Sequence, residues 1–331
     1  TYVWVLTNRK PVQRQGQVQL IDATQWCRPL RKNMGKKNCE LAADDIQRIC
    51  ATFLDFKPSE QSKIFPNKAF GYWKVKVERP LRLHSQLSRQ RIETLRFASG
   101  DEEVRSALYD QLGDALFENP ASVYKVCEDM VHGWGKTDSE AEDEDGTDSS
   151  EGAAKKALPE TKKRKLLSES TWRRDATLVD VATQLREALG EGLFEDHNVF
   201  LEKVDTALQQ RGLKPNAADL KLIINAVSWR VEDAPRVIKK VHKPGKTKPD
   251  PLRGLFEAHV AGKPCVVEYE CDSELRDHEQ IPLLEAGGIE AFIRREVLPY
   301  TPDAWIVEAD TKIGYEISFT RHFYKPPELR S

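Results

Sequence analysis

The chain has 331 residues, 51 Lys and Arg against 53 Asp and Glu, a formal net charge of −2 and a hydrophobic fraction of 39%. This length supports two or three folded units. With no apolar run of membrane-spanning length and no signal pattern, the expectation is a soluble, cytoplasmic protein without a membrane partner. The six cysteines (27, 39, 50, 127, 265 and 271) are widely spread, with no CxxC pair. That argues against a small disulfide scaffold and for free thiols in a reducing compartment.

Taken in chain order, Tyr2-Val-Trp-Val-Leu6 is a β-branched and aromatic run that predicts a strand. A strand so close to the first residue calls for a partner further upstream, so the chain is expected to be the back part of a larger α/β protein. Turn-rich residues 8–16 then lead to a second strand, Val18–Asp22, with spacing suited to a hairpin. The stretch 28–38 is expected to be a loop in which Arg28, Arg31, Lys32, Lys36 and Lys37 surround Asn33-Met34-Gly35. Flexible cations of this kind reach phosphates, which makes these five candidate DNA contacts. Asp44 is placed to cap a helix carrying Ile46, Ile49, Cys50, Phe53 and Leu54 at helical spacing.

In Phe70–Val77, Tyr72, Lys74 and Lys76 alternate with Trp73, Val75 and Val77, the pattern of a half-buried strand. Tyr72, Lys74 and Lys76 complete the set of candidate DNA contacts, because aromatics and cations on one strand can form a stacking platform. The competing reading is an ordinary strand with snorkelling lysines. Residues 1–83 form the first region, and 84–137 read as helical, with Val104, Leu108, Leu112 and Leu116 four apart.

Eight carboxylates crowd 138–151 without one basic residue, leaving 45 acidic against 51 basic residues elsewhere, a net of +6. With the lysines that follow, 138–170 reads as a charged, flexible linker. A helical module with a basic tail occupies 171–249: Leu178, Val181, Ala182, Leu185 and Leu189 form one face, Val199, Val204 and Leu208 mark a second helix, and Leu220, Ile223, Ile224 and Val227 a third; Arg236–Lys248 holds six Lys and Arg with no acid. The last region, 250–331, is mixed: a strand at 265–269, a helix at 289–298, a turn at Pro302-Asp303 and a strand at 315–319.

No Gly-rich phosphate loop, HExxH or GxSxG motif occurs, and Asn119-Pro120 lacks the second Pro and aromatic of an amino-methylating motif. Glu268 and Glu270 share one side of a strand and, with Asp272, Glu274 and Asp277, form the basis of a metal-dependent nuclease as an alternative function. No Lys follows either glutamate at the nuclease spacing, and a solvated strand face accounts for them more simply. Asp277-His278-Glu279 has residue types for acid–base chemistry, although a single His among charges is usually a surface residue. No catalytic, cofactor-binding or metal residue is assigned.

Two ordered sets of segments carry a family resemblance. The first is Tyr2–Pro11, Gly16–Thr24, Arg31–Gly35, Ser62–Phe65 and Phe70–Arg82; the second is Asp272–Asp277, Glu279–Leu284, Glu296–Pro299, Pro302–Trp305, Lys312–Ile317 and Phe319–Tyr324. In both, the chain resembles the modification subunit of type I restriction-modification systems. That resemblance covers 1–83 and 250–327 and implies a parent protein that transfers a methyl group from S-adenosylmethionine to adenine N6 in DNA. It implies as partners double-stranded DNA, a specificity subunit, a second modification subunit and, for cleavage, a restriction subunit.

The family's cofactor loop and catalytic motif precede the segment matching Thr1, so no cofactor is expected in this stretch, and methylation by it alone is not expected. The fold class implied is α/β: terminal strands of a Rossmann-like methyltransferase sheet, then a largely helical region and a small mixed α+β C-terminal region that docks the specificity subunit. A stand-alone DNA-binding or protein-docking module without catalysis is the alternative from another class.

Overall fold

The computed structural model describes residues 2–35, 37–135 and 158–324, so Lys36, the acidic run 138–151 and the Pro326-Pro327 tail lie outside the described residues. The protein is mixed α/β, with small antiparallel sheets. It divides into two compact units, Thr1–Pro80 with Val241–Ser331, and Leu81–Lys240.

The first unit corrects the opening expectation. Residues 2–10 form no strand, and Tyr2, Val3, Trp4, Val5 and Leu6 are all exposed, Val3 to 87%. An isolated strand cannot satisfy its backbone groups, and the expected hairpin partner is taken. Strand β1 (Gln17–Ile21) pairs instead with β4 (Ser62–Pro66), Gln17 opposite Pro66 and Ile21 opposite Ser62.

The expected loop at 28–38 is also corrected. It is a hairpin of β2 (Arg28–Met34) and β3 (Lys37–Glu40), with Gly35 at φ 62° in the connection. Glycine supplies that left-handed turn at little steric cost, so the polar flanks pair although their composition reads as loop.

Helix α1 (Ala43–Asp55) forms where the apolar spacing predicted it, but Asp44 is not its cap. The Asp45 carboxylate accepts the Ala42 N–H at 2.9 Å, satisfying one of the free donors of the first turn. No residue of α1 is fully buried, and Ile46 and Leu54 remain exposed. Arg14 covers part of the apolar face, its guanidinium 4.3 Å from the Phe53 ring centroid and 4.2 Å from that of Phe56.

Strand β5 (Gly71–Glu78) follows, with Val75 and Val77 buried as the alternation predicted. The chain then builds the second unit. A short strand, β6 (Leu83–Ser85), leads to α2 (Arg89–Glu93), α3 (Glu102–Leu112), α4 (Ala115–Glu118) and α5 (Pro120–Gly133). After these come α6 (Glu160–Leu166), α7 (Glu169–Leu189), α8 (His197–Arg211) and α9 (Ala217–Ala226), then β7 (Ser228–Arg230), which pairs with β6.

The apolar stripes read from the sequence become two cores. Val104, Leu108 and Leu116 pack with Cys127, Val131, Leu166 and Trp172. Leu178, Val181, Ala182 and Leu185 pack with Phe200, Val204, Leu208 and Ile223. Helix α7 supplies residues to both cores. Between them lies an ion pair, Arg105 to Asp175 at 2.5 Å, with both side chains at most 1% exposed. Burial pushes the Asp175 carboxyl up and the Arg105 guanidinium down. Each group offsets the other's desolvation, and Ser99 donates its N–H and Oγ–H to the same carboxylate.

Strand β8 (Ile238–Val241) returns the chain to the first unit. There β9 (Phe256–Val260) and β10 (Lys263–Tyr269) form a hairpin. Strands β11 (Asp277–Pro282) and β12 (Trp305–Tyr315) then flank β5 in a three-stranded antiparallel sheet of order β11-β5-β12.

The helix expected at 289–298 is α10 (Gly288–Phe292) continued by a π-helical turn, Ile293–Val297. The strand expected at 315–319 is corrected: β12 stops at Tyr315, and Phe319 opens α11 (Phe319–Phe323). Phe319 packs there on Phe323, ring centroids 5.0 Å apart, and edge-on against Tyr2 at 5.6 Å, and His322 of the same helix lies 4.6 Å from Phe65, so these rings serve local contacts instead of a ladder. Val75, Val77, Ile281, Ile293, Ala304, Ile306 and Leu252 form this unit's main core. No helix among the described residues is long and apolar enough to cross a membrane.

Candidate nucleic-acid interface

The sheet β11-β5-β12 gives the first unit one buried and one polar face. Side chains directly opposite in an antiparallel pair project to the same side. The register sets Pro282 and Gly314 beside Tyr72, Gln280 and Lys312 beside Lys74, and His278 and Val307 beside Lys76. Three of the sequence-derived candidates therefore share a face with Lys312, His278 and Gln280, which sequence reasoning did not select as DNA contacts. A strand of Asp277-His-Glu-Gln-Ile-Pro carries too little apolar alternation to announce itself, and pairing across some 200 residues is not written in local composition.

The shape of this face depends on Gly314. A Cβ built there would lie 2.5 Å from Tyr72 Cζ, so the Tyr72 ring lies directly across the glycine. This cross-strand cover holds the phenol close to the sheet.

The cations on the face are not equivalent. Lys76 Nζ lies 2.8 Å from Asp310 and 3.3 Å from Glu78. Its ammonium is held above the ordinary lysine range, first by the Asp310 hydrogen bond, so this charge is already matched. Glu78 is 1% exposed and also accepts from Arg276 Nε at 2.7 Å. Lys74 and Lys312, in contrast, are exposed, stand directly opposite one another, and form no ion pair with a described residue. Like charges in that position repel by a few tenths of a kcal/mol to about 1 kcal/mol. An anion between them removes the penalty.

The hairpin β2–β3 carries the other candidates. Arg28 is engaged by Asp44 through two contacts, 2.7 and 2.9 Å, and Arg28 is the first cause of the lowered Asp44 carboxyl. Arg31, Lys32 and Lys37 are exposed on the same ribbon, while Lys36 lies outside the described residues.

The acidic candidates separate. Glu268 Oε1 is 2.7 Å from His242 Nε2, and the other ring nitrogen of His242 is 3.1 Å from Thr247 Oγ1. Asp277 and Glu279 fall on the face opposite to His278, and Glu279 is raised first by desolvation and then by Asp277. Among the described residues, no three His, Cys, Asp or Glu come together in a group able to hold a metal.

No protein-family model matches the chain, and neither a curated protein nor a solved structure is similar to it.

Proposed function

We propose that this chain is part of the DNA-modification subunit of a type I restriction-modification system, contributing scaffold, DNA-backbone contact and subunit docking. The observation that carries the DNA side of this reading is the polar face of β11-β5-β12. Two exposed lysines without an ion pair to a described residue, Lys74 and Lys312, oppose each other there beside the Tyr72 ring. That is a surface for phosphate with an adjacent stacking group.

The exposed run Val3–Leu6 supports the docking side, because four consecutive apolar side chains in water call for a cover from outside the described residues, while Tyr2 packs edge-on against Phe319. On this reading they join the Rossmann-like methyltransferase sheet of the parent. The parent binds S-adenosylmethionine and methylates adenine N6 in a flipped base. The chemistry belongs to that sheet, and sequence recognition to the specificity subunit. Such an assembly works in the cytoplasm, on double-stranded DNA, with a second modification subunit and a restriction subunit.

The test is assembly. Mixed with a type I specificity subunit and duplex DNA, the chain is expected to form a ternary complex on native gels. K74Q/K312Q should weaken DNA retention about 10-fold, two lost phosphate contacts on the counterion-release scale. Failure to bind any specificity subunit, or methyl transfer from labelled S-adenosylmethionine by the chain alone, sinks the reading. A stand-alone DNA-binding module remains the alternative if DNA is retained with no subunit partner. For the nuclease alternative, no group of three His, Cys, Asp or Glu able to hold a metal supports a site among the described residues.

A further inference from the structure

The basic run 236–248 has no role in the reading above, and its second half has a definite shape. Residues Lys243–Lys246 close a turn, Lys246 N–H donating to the Lys243 carbonyl at 3.2 Å, with Gly245 at φ 74°. Side chains fix both ends. His242 holds Glu268 of β10 at 2.7 Å through Nε2 and Thr247 at 3.1 Å through Nδ1, and its N–H donates to the Val266 carbonyl at 2.8 Å. The turn is therefore tied to the sheet by its first residue and tied back on itself by Thr247.

Lys243, Lys246 and Lys248 project from this frame. All three are exposed, and none forms an ion pair with a described residue. Glu268, the carboxylate bound at the base of the turn, is engaged by His242. Three ammonium groups within six residues, none in an ion pair with a described residue, concentrate positive charge on a braced backbone. The arrangement suits a partner with negative charges at equally close spacing, and the bracing removes part of the ordering cost of binding.

We infer that the turn His242–Lys248 is a contact point for the phosphodiester backbone of duplex DNA. The inference rests on the DNA-facing reading above and adds a second surface to it, distinct in residues from the face of β5. Within His242–Lys248 there is no Phe, Tyr or Trp, and the His242 imidazole is engaged by Glu268 and Thr247, so the turn lacks the stacking platform that single-stranded nucleic acid requires. Nor is there a large apolar side chain to enter a lipid headgroup layer. Point charges without base-reading groups give contact that is strongly salt-dependent and indifferent to sequence.

The experiment is fluorescence anisotropy of the full chain with a labelled 30-mer duplex across a salt series. The variant is K243Q/K246Q/K248Q, and K57Q/K68Q/R294Q serves as a charge-matched control on exposed residues elsewhere in the same unit. Each phosphate contact contributes about 0.9 to the slope of log K against log salt, so the turn variant should lose about 2.7 from that slope. The control should keep the wild-type slope, and two unrelated duplex sequences should respond alike.

An unchanged slope in the turn variant overturns the inference, as does an equal loss in the control. It is also overturned if the turn variant loses affinity only for single-stranded DNA, duplex RNA or vesicles with 30% phosphatidylserine. Run in parallel, K74Q/K312Q separates the two claims. Loss of duplex binding there with none in the turn variant refutes the turn and leaves the reading of the β5 face standing.

Discussion

The two units treat charge and apolar surface in opposite ways. In Leu81–Lys240 most of the apolar stripes enter two cores, with Val126 and Val199 left exposed, and the buried Arg105 and Asp175 are paired. In the other unit the main core is small, α1 buries no residue fully, and Tyr2–Leu6 stand in water. Its cations at Lys74, Lys312, Lys243, Lys246 and Lys248 are exposed and unmatched among the described residues. A unit that satisfies its own groups reads as scaffold. One that leaves apolar residues and lysines unanswered reads as the side that meets partners.

The contrast breaks first if the buried pair is not what holds the helical unit. Asp175→Ala strands Arg105, 1% exposed, without its counter-charge, and should cost about 3–5 kcal/mol in urea unfolding. Arg105→Met combined with Asp175→Leu should recover most of that loss. A cost under 1 kcal/mol for the single variant would show that the pair is incidental.

The next effect is a pH dependence in the same unit. His197 is 3% exposed, its Nδ1 lies 2.7 Å from Ser85 Oγ, and desolvation pushes its pKa down to about 4. The unfolded chain takes up this proton near 6.5 and the folded one near 4. Stability from the neutral ring is therefore fully present above about 6.5 and is lost as pH falls toward 4, by about 3 kcal/mol at most. Urea midpoints measured from pH 7 to 4 should fall accordingly, and the decline should flatten in His197→Gln.

In the unit of Thr1–Pro80 with Val241–Ser331 the expected effects are smaller. Gly314→Ala drives a methyl into the Tyr72 ring, 2.5 Å from Cζ, and should cost about 1–3 kcal/mol, read as a lower thermal midpoint. Restoration by Tyr72→Ala in the double variant would assign the cost to that contact. Lys312→Glu replaces a like-charge cross-strand pair with an opposite-charge one and should stabilise by up to about 1 kcal/mol while weakening duplex binding. If it weakens neither DNA binding nor its salt dependence, the face of β5 is only a solvated surface.

Much of this molecule was legible as pattern. The alternation in Phe70–Val77 placed Val75 and Val77 inward, and the four-residue spacing of Val104, Leu108, Leu112 and Leu116 placed Val104, Leu108 and Leu116 in a core, although Leu112 is only half-buried and Leu116 belongs to a separate helix after Gly113. Three-residue and four-residue spacings along 172–231 predicted α7, α8 and α9. These features are local, set by the 2.0 and 3.6 periods of the backbone. The readings that failed depended on a partner. Tyr2–Leu6 has the composition of a strand but no paired neighbour among the described residues, and 28–38 has the composition of a loop but is held as a ribbon by pairing around Gly35.

By itself, then, the sequence determined which residues carry charge and where α1 and α7 to α9 run, because each follows from neighbours along the chain, whereas α6 formed in a stretch read as linker and α11 where a strand was expected. Only the tertiary structure decided that Lys312 faces Lys74, that Asp310 and Glu78 neutralise Lys76, and that His242 bridges Glu268 and Thr247. Lys74–Lys312, Lys76–Asp310 and His242–Glu268 are more than 20 residues apart, and strand register, not local propensity, sets which side chains meet.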